Sequence, residues 1–385
     1  MSKLDELINT LCLDGVDYKK LIDICTDIIV PMRDRPKVFD GNTPWCRIED
    51  IEGQYFNGSL AKLGVSEKVI KEMNLKVFPA GTVICSCSAS IGAYAINTQP
   101  LITNQTFIGL VCGDKICNKF LLYYMETQTR KLQSLASTGT IPYISRQKFE
   151  DLIIPLPPLP VQREIVRILD SFTELTVELT AELTARKKQY EYYRDALLTF
   201  GDDVPMGTLG TVATNLDKKR KPVTKGNRET GEYPYYGASG IVDYVSDYIF
   251  DGDYLLVSED GANLVARTTP IAFSASGKIW VNNHAHVLKF DTYIERKFVE
   301  YYLNMIDLSR YISTAAQPKL TQDNLNKIPI PVPSIEDQAH IVFTLDRFDA
   351  LCNDISIGLP AEIEARKKQY EYYRDKLLTF PEAEA

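Results

Sequence analysis

The chain of 385 residues is long enough for two or three domains, and its 45% hydrophobic and 24% charged residues are typical of a globular protein. It contains no apolar run long enough to cross a membrane and no signal-peptide stretch, so we expect a cytoplasmic protein. The net charge of −8 argues mildly against a free-standing nucleic-acid-binding protein, because such proteins are usually basic.

The first part of the chain contains short β-like apolar runs, such as GTVICSCSA at residues 81–89, broken by Gly, Pro and Asn. Seven of the eight cysteines precede residue 118, but their spacing is irregular and includes no C-x-x-C pair. On a strand, Cys85 and Cys87 would point to one face as small apolar groups. Reduced core thiols therefore explain the cysteines better than a zinc site does.

A proline strip, PLPPLP at residues 155–160, cannot be helical and should act as a stiff elbow. A long helix is predicted after it, from about Val161 to Thr199, with a length of about 58 Å. Its apolar residues recur in steps of three and four and form one seam, as in a coiled coil: Ile165, Ile168, Phe172, Leu175, Leu179, Leu183, Tyr190, Tyr193 and Leu197. A rod of this length is suited to holding other parts at a fixed distance.

The end of this helix is repeated. The sequence ARKKQYEYYRDALLTF at residues 185–200 returns at 365–380 with one change, Ala196 to Lys376. The match extends upstream, where IIPLPPLPVQREIVRILDSF at 153–172 aligns with PIPVPSIEDQAHIVFTLDRF at 329–348. GVDYKKLIDI at 15–24 also resembles DVPMGTLGTV at 203–212. The chain is therefore predicted to be a tandem duplication of one domain with its connector.

The second copy predicts a second seam helix, which Gly358 and Pro360 should break or kink. Its seam residues are Ile341, Leu345, Phe348, Leu351, Ile355, Leu359, Ile363, Tyr370, Tyr373 and Leu377. The segment from Phe348 to Ala365 is four residues longer than the corresponding segment from Phe172 to Ala185. The two helices therefore cannot match perfectly.

Each helix end has a second face. Tyr192 lies about 160° around the helix axis from the seam residue Tyr190, near Lys188, and Tyr372 and Lys368 hold the same positions in the second copy. Tyr192 could rest on a neighbouring domain, or it could bind a separate subunit, since tyrosine beside cations is typical of interface anchors. The near-identity of the copies favours two equal docking sites for one kind of partner.

The sequence KKRKPVTKGNR at 218–228 predicts either a solvated loop or a phosphate-binding surface. Its six cations are Lys218, Lys219, Arg220, Lys221, Lys225 and Arg228. Candidates for DNA contact elsewhere are Asn263, Arg267, Asn283 and His284 in the second domain, and Asn104, Gln105, Arg33 and Arg35 in the first. The alignment places Asn104 and Gln105 against Asn283 and His284, although Asn283 and His284 could equally satisfy buried backbone groups.

The motifs of several enzyme classes are absent from the sequence, among them the P-loop, G-x-G-x-x-G, G-x-S-x-G and the N/D-P-P-Y/F tetrapeptide of adenine methyltransferases. His284 and His286 alternate and would share one face of a strand, but no third metal ligand is near them in the sequence. We therefore expect a binding protein that holds no metal and performs no catalysis.

Two unlike domains, each followed by a proline strip and a long helix ending in RKKQYEYYRD, resemble the specificity subunits of type I restriction–modification enzymes. ELTVELTAELTA at 174–185 is similar to the central tetrapeptide repeat of one branch of that family, with Thr-x-Glu-Leu at Thr176–Leu179 and Thr180–Leu183. The stretch from Tyr233 to Leu288 also resembles a common type of target-recognition domain. The resemblance covers essentially the whole chain.

The resemblance implies an α+β fold with two target-recognition domains of mixed α/β structure, joined by long antiparallel coiled-coil helices with pseudo-twofold symmetry. It implies a first domain at 1–157, a spacer helix at 158–200, a second domain at 201–333 and a C-terminal spacer helix at 334–385. A helix at about Lys3–Leu11 would lie beside the C-terminal helix.

The implied partners are double-stranded DNA with a bipartite target, two modification (methyltransferase) subunits and restriction (motor and nuclease) subunits. No cofactor is expected on this chain, since S-adenosylmethionine belongs to the modification subunit. The alternatives are a coiled-coil scaffold without a DNA role and a DNA-modifying enzyme with an unrecognised active site.

Overall fold

The computed structural model describes residues 2–32, 34–138, 140–313 and 317–383. The chain forms two compact units. The first unit comprises Met1–Glu178 and Ile363–Ala385, and the second comprises Leu179–Glu362. Each unit contains one predicted recognition domain and parts of both predicted spacer helices. Among the described residues, no helix is both long enough and apolar enough to span a membrane.

The helices of the described residues are α1 (Lys3–Leu11), α2 (Leu21–Ile24), α3 (Glu67–Glu72), α4 (Asn118–Thr127), α5 (Thr129–Leu135), α6 (Arg146–Glu150), α7 (Leu159–Leu197), α8 (Leu209–Val212), α9 (Asn263–Ala266), α10 (Tyr293–Met305), α11 (Gln322–Asn326), α12 (Ile335–Asn353) and α13 (Leu359–Leu377).

The strands of the described residues are β1 (Asp17–Lys20), β2 (Cys25–Ile29), β3 (Thr43–Cys46), β4 (Ile51–Glu52), β5 (Tyr55–Phe56), β6 (Gly64–Val65), β7 (Val83–Ser86), β8 (Tyr94–Asn97), β9 (Ile102–Thr103), β10 (Phe107–Cys112), β11 (Ile153–Leu156), β12 (Met206–Thr208), β13 (Thr214–Asn215), β14 (Thr230–Gly237), β15 (Gly240–Val245), β16 (Phe250–Ser258), β17 (Ala272–Val281), β18 (Ala285–Lys289) and β19 (Pro329–Pro331).

The two units share one sheet topology except at one edge, which confirms the predicted duplication and the α+β fold. The main sheet has the order β2-β10-β7-β8-β5-β4 in the first unit and β13-β18-β16-β17-β14-β15 in the second. The fourth and fifth strands of each order pair in parallel, and the other neighbours are antiparallel. Cys85 on β7 is fully buried, and its burial raises the pKa of the thiol well above its usual value.

The units differ at the far edge of these sheets. In the first unit, β5 pairs with the rest of the sheet, and β5 is the second strand of the β4–β5 hairpin. In the second unit, β14 does so, and β14 is the first strand of the β14–β15 hairpin. The first unit also has a three-stranded sheet of β6, β3 and β9, which buries Trp45. The duplicated fold has therefore diverged most at this edge.

The elbow after each domain is held in the same way in both units. β1 pairs with β11 and β12 pairs with β19, which confirms that the segments at 15–24 and 203–212 correspond. Gln162 then donates a hydrogen bond from Nε2 to the carbonyl of Pro157 at 2.7 Å, and Gln338 donates to Pro333 at 3.0 Å. These buried amides connect the first turn of each helix to the proline strip.

The first spacer helix is continuous over 39 residues, because Pro160 lies in the first turn of α7, where no backbone hydrogen bond is lost. The second is interrupted, as predicted, and consists of α12 and α13 with a turn at residues 354–358 between them. A Cβ at Gly358 would lie 2.5 Å from the carbonyl oxygen of Ala350, so only glycine fits there. Ile355 was predicted to lie in the seam, but it belongs to this turn and is 85% exposed.

Helix α1 packs within the first unit, where Leu4 joins the same core as Leu378 and Phe380 of the C-terminal segment. Its Lys3 forms an ion pair with the buried Glu164 of α7 at 3.0 Å. The backbone N–H of Val16 donates to Pro381 at 3.0 Å. The two ends of the chain therefore meet in one core, in agreement with the expected place of the N-terminal helix.

Candidate nucleic-acid and subunit interfaces

Four of the six cations predicted to contact phosphate are exposed on one segment of the second unit: Lys218, Lys219, Lys221 and Lys225. This segment runs over β14 and β17. The indole N–H of Trp280 donates to the carbonyl of Lys221 at 2.6 Å, and the N–H of Val223 donates to the hydroxyl of Tyr235 at 3.0 Å. The backbone is thus fastened to the sheet while the four lysine side chains face solvent, as phosphate contact requires.

The two arginines of the same segment have internal partners. Arg220 is largely buried and donates to Glu259 at 2.6 Å. Arg228 donates to Asp243 at 2.9 Å, and its guanidinium lies 4.3 Å from the ring centre of Tyr235. Both side chains stabilise the domain, and a cation that is already paired and desolvated contributes less to phosphate binding.

Arg267 and Asn263 also act within the second unit. Arg267 has a left-handed backbone, with φ of 51°, and donates to the carbonyls of Leu303 and Ile306 at 3.2 and 3.1 Å. These carbonyls lie at the C-terminal end of α10, where cations are favoured. Asn263 accepts a hydrogen bond from the N–H of Thr269 at 3.1 Å. The side chains of both residues therefore have partners within the second unit.

The two histidines of the second unit do not share a strand face, contrary to the sequence prediction. His286 is fully buried in β18, where Nδ1 lies 2.6 Å from Asp217 and Nε2 lies 2.8 Å from the carbonyl oxygen of Leu320. His284 precedes the strand and is exposed, with Nδ1 at 2.7 Å from Asp260. The difference arises because β18 begins only at Ala285.

The buried Asp217 carboxylate is held in its charged form. Burial alone would raise the pKa of Asp217, but the hydrogen bonds from His286 and from the N–H of Val287, together with the nearby Arg220, outweigh burial and lower that pKa below its usual value. We call residues 218–228 the lysine segment, and this network joins β18 to its start.

The same turn stands before β10 in the first unit and before β18 in the second. The side-chain oxygen of Asn104 accepts from the N–H of Thr106 at 3.3 Å, and that of Asn282 accepts from the N–H of His284 at 2.8 Å. We call residues 104–106 and 282–284 the Asn turns. The sequence alignment, which matched Asn104 with Asn283, was therefore wrong by one position.

In the corrected register, Gln105 corresponds to Asn283. Both are exposed at the middle of their turns, whereas Asn104 and Asn282 point their side chains back to the backbone. The predicted DNA contacts Gln105 and Asn283 therefore have equivalent, accessible positions. Asn104 has a structural role in its turn.

A second loop lies against each Asn turn. The N–H of Ile144 donates to Cys87 at 2.8 Å, and that of Leu320 donates to Glu259 at 2.8 Å. Isolated bridges pair Ser88 with Tyr143 in the first unit and Asp260 with Lys319 in the second. We call the Asn turn, this loop and the strand end between them, residues 87–88 or 259–260, the corner of each unit. The backbone of the two corners is alike, but the side chains differ.

The first domain contains two further predicted arginines. Arg35 is exposed, and its guanidinium lies 5.0 Å from the ring centre of Trp45. Arg33 lies outside the described residues.

The two repeated helix ends have the same environment. Tyr373 stacks on Phe172 at 5.6 Å in the first unit, and Tyr193 stacks on Phe348 at 5.5 Å in the second. Tyr190, Leu197, Tyr370 and Leu377 are partly buried against their unit's core, as expected of seam residues. These four side chains therefore pack inside their own units.

The predicted outer faces are exposed. Tyr192 is 69% exposed and Tyr372 is 62% exposed, and each ring meets the edge of its neighbouring seam tyrosine at 5.5 or 5.3 Å. Lys188 and Lys368 are exposed beside them. The structure therefore presents two patches with tyrosine and lysine at equivalent positions, one per unit, and Lys368 also forms an ion pair with Glu364 at 3.5 Å.

A buried tyrosine–aspartate pair joins each domain to its spacer helix. Tyr123 of α4 donates to Asp170 of α7, and Tyr301 of α10 donates to Asp346 of α12 at 2.6 Å. Burial, reinforced by the aspartate, raises the pKa of both tyrosines above the usual range. In the sequence, Asp170 and Asp346 are matching positions of the repeat, but nothing in the pattern indicates their tyrosine partners.

Residues 15–187 and 202–365 each match the family model described as the type I restriction modification DNA specificity domain. The chain belongs to this family of specificity subunits. Its function is the recognition of a DNA target.

Two specificity subunits from Escherichia coli are similar to this chain over most of its length. The specificity subunit of the type I restriction enzyme EcoprrI of Escherichia coli is 31% identical over 92% of this chain and 92% of its own. That of EcoR124I/EcoR124II, also from Escherichia coli, is 36% identical over 71% of this chain and 74% of its own.

A solved type I system S subunit from M. genitalium has a TM-score of 0.57 at 17% identity, over 94% of this chain and 96% of its own. A chain from a study of type I complex assembly and conformational transition has a TM-score of 0.62 at 18% identity, over 94% of this chain and 97% of that one. At these identities the two structures support the fold.

Sequence reasoning also missed the corner residues Asp260, Lys319, Ile141 and Tyr143. A signal for them existed, because the alignment of the segments starting at Ser137 and Ser313 already places Tyr143 against Lys319. Their proximity to the Asn turns became visible only through the backbone bridges of the fold.

Proposed function

We propose that this specificity subunit performs no catalysis and binds a bipartite DNA target, with each recognition domain reading one half. The duplicated topology supports this division, because two domains of one fold carry different side chains at equivalent corners. The exposed lysines of the second unit would hold phosphates, and Gln105 and Asn283 would reach base edges.

We further propose that each helix end binds one modification subunit, and that restriction subunits join this assembly. The observation that carries the proposal is the pair of matched patches at Tyr192 and Tyr372, each with a lysine four residues earlier. S-adenosylmethionine would be held by the modification subunit, and this chain would need no cofactor.

The test is the assembly of purified subunits. Tyr192→Ala with Tyr372→Ala should abolish binding of modification subunits, and either single change should leave a complex with one modification subunit. Native mass spectrometry would count the subunits. Tyr244→Ala is a matched control, because Tyr244 is a half-exposed tyrosine outside the two repeated helix ends. A double variant that still binds two modification subunits with unchanged affinity would contradict the proposal.

The absence of catalysis has its own test. The chain alone, incubated with S-adenosylmethionine and target DNA, should transfer no methyl group, and addition of the modification subunit should restore transfer. Methylation by the isolated chain would identify the alternative, an enzyme with an unrecognised site.

A further inference from the structure

The corners of the two units offer the same backbone with different chemistry. In the second unit the corner carries charge, since Asp260 lies 2.7 Å from His284 and Lys319 is bridged to Asp260. In the first unit the equivalent positions are Ser88, Thr106 and Tyr143. The backbone is alike, but one corner is charged and the other is neutral, which indicates that the two corners contact different ligand surfaces.

The corner of the first unit borders an open cleft of about 570 Å³. Val30, Pro31, Ala89 and Ile141 supply its apolar wall, and Gln105 lies at its rim. Among the residues that the structure describes, none of those lining this cleft is charged. Ile141 is 64% exposed, so its apolar surface faces solvent instead of the core.

A neutral, partly apolar cleft is unsuited to phosphate, which attracts lysine and arginine. Among the groups that DNA presents in the major groove, the C5-methyl of thymine is apolar, and the adenine opposite presents an N6 donor and an N7 acceptor that match an amide. One A·T pair therefore combines the two features that Ile141 and Gln105 complement.

We propose that the corner of the first unit is a subsite for an A·T pair, in which Ile141 contacts the thymine methyl and Gln105 bonds the adenine edge. This inference rests on the proposed reading of one half-site by each domain. It assigns base contact to a loop, at Ile141, that lies more than thirty residues from the Asn turn in sequence. The Ser88–Tyr143 bridge joins this loop to the end of β7, where the N–H of Cys87 donates to Thr106 of the Asn turn at 2.8 Å.

The experiment uses the full chain in complex with its modification subunits. The target is first mapped by sequencing methylated sites from a random DNA pool. Each thymine of both half-sites is then replaced by deoxyuridine, which lacks only the methyl group, and the dissociation constant is measured by competition. One replacement should weaken binding about three- to fivefold, the value expected for one buried methyl group.

Ile141→Ala should weaken binding to the thymine duplex by a similar factor and should bind the thymine and uracil duplexes equally. Ile141→Val should retain part of the difference. Ile355→Ala is the matched control, because Ile355 is also an exposed isoleucine, and it should leave the thymine preference unchanged. Gln105→Ala should remove the penalty caused by 7-deazaadenine at the paired adenine, whereas Asn283→Ala should not.

Specific binding without any thymine preference, or a preference that persists in Ile141→Ala, would overturn this inference and leave the bipartite reading intact. A mapped target without an A·T pair in either half would overturn it as well. If the unaltered complex shows no sequence-specific methylation, the proposed function is wrong, and this inference is wrong with it.

Discussion

The two helix ends are alike in their side chains, whereas the two corners are alike in their backbone. At the helix ends the side chains are almost identical, and Tyr192 and Tyr372 have similar exposure. At the corners the backbone hydrogen bonds are the same, but Gln105 stands where the other unit has Asn283, and Tyr143 where it has Lys319. Side chains are kept where one kind of partner would be met twice, and they change where two different DNA sequences would be read.

The tyrosine–aspartate pairs lie between these extremes. The pair itself is the same in both units, but its surroundings differ. Lys119 forms an ion pair with Asp170 at 2.9 Å in the first unit, whereas Tyr293 donates to the second oxygen of Asp346 at 2.7 Å in the other. The hydrogen bond between tyrosine and aspartate is thus the same in both units, whereas the second group that contacts the aspartate differs.

The largest effect is expected at residues 218–228, whose four exposed lysines would contact phosphate. Replacing Lys218, Lys219, Lys221 and Lys225 by alanine should weaken binding to all DNA on the order of 100-fold and reduce the salt slope by about 0.9 for each lost phosphate contact. The mapped target sequence should stay the same. Titrations at several salt concentrations measure both quantities, and a changed target would contradict the separation of phosphate contact from base reading.

Tyr301→Phe should test the joint of the second unit. The change leaves a partly buried aspartate oxygen without its donor, which should lower the free energy of unfolding by about 1–3 kcal/mol. Tyr123→Phe should cost less, because the ion pair with Lys119 continues to satisfy Asp170. Denaturant unfolding of the two variants gives the comparison, and equal losses would show that the surroundings of the pair do not matter.

Acid should affect the second unit through Asp217. Its pKa is lowered in the folded state, so the carboxylate contributes stability above its unfolded pKa near 3.8, and that contribution is lost as pH falls below this value. Asp217→Asn should lower the melting temperature at pH 7 and flatten its dependence on pH between about 4 and 3. Asp291→Asn, at an exposed site, should leave the profile unchanged.

The smallest effect on stability is expected from deleting Thr180–Leu183, because four residues advance the helix by about 6 Å and return a leucine close to the seam. The variant should fold and should read the same two half-sequences with a shorter gap between them. A helix change of this size corresponds to one or two base pairs of DNA. Methylation mapping measures the gap, and an unchanged gap would mean that the helix serves only as a tether.

The sequence predicted the features that depend on local or repeated patterns. The duplication, the proline elbows, the interrupted second helix and the exposed face of Tyr192 all follow from spacing and propensity. It could not separate Arg220 from its lysine neighbours, because the burial of Arg220 depends on Glu259, nearly forty residues away.

Two further positions show the same limit. Asn282 and Asn283 are adjacent identical residues, and only the hydrogen bond to His284 shows which one turns back to the backbone. The seam pattern also ran through Ile355, because the three- and four-residue steps continue across a turn that the glycine creates. Contacts between distant segments decided each of these cases.

The turn at residues 354–358 has a mechanical consequence. A continuous helix such as α7 resists bending along its whole length, whereas a helix pair joined by a solvated turn concentrates its compliance at the joint. Phe348 and Tyr373 lie four residues farther apart in sequence than Phe172 and Tyr193, and the turn takes up this excess so that both stacking contacts still form. The interrupted spacer should therefore bend at residues 354–358 more readily than α7 bends anywhere along its length.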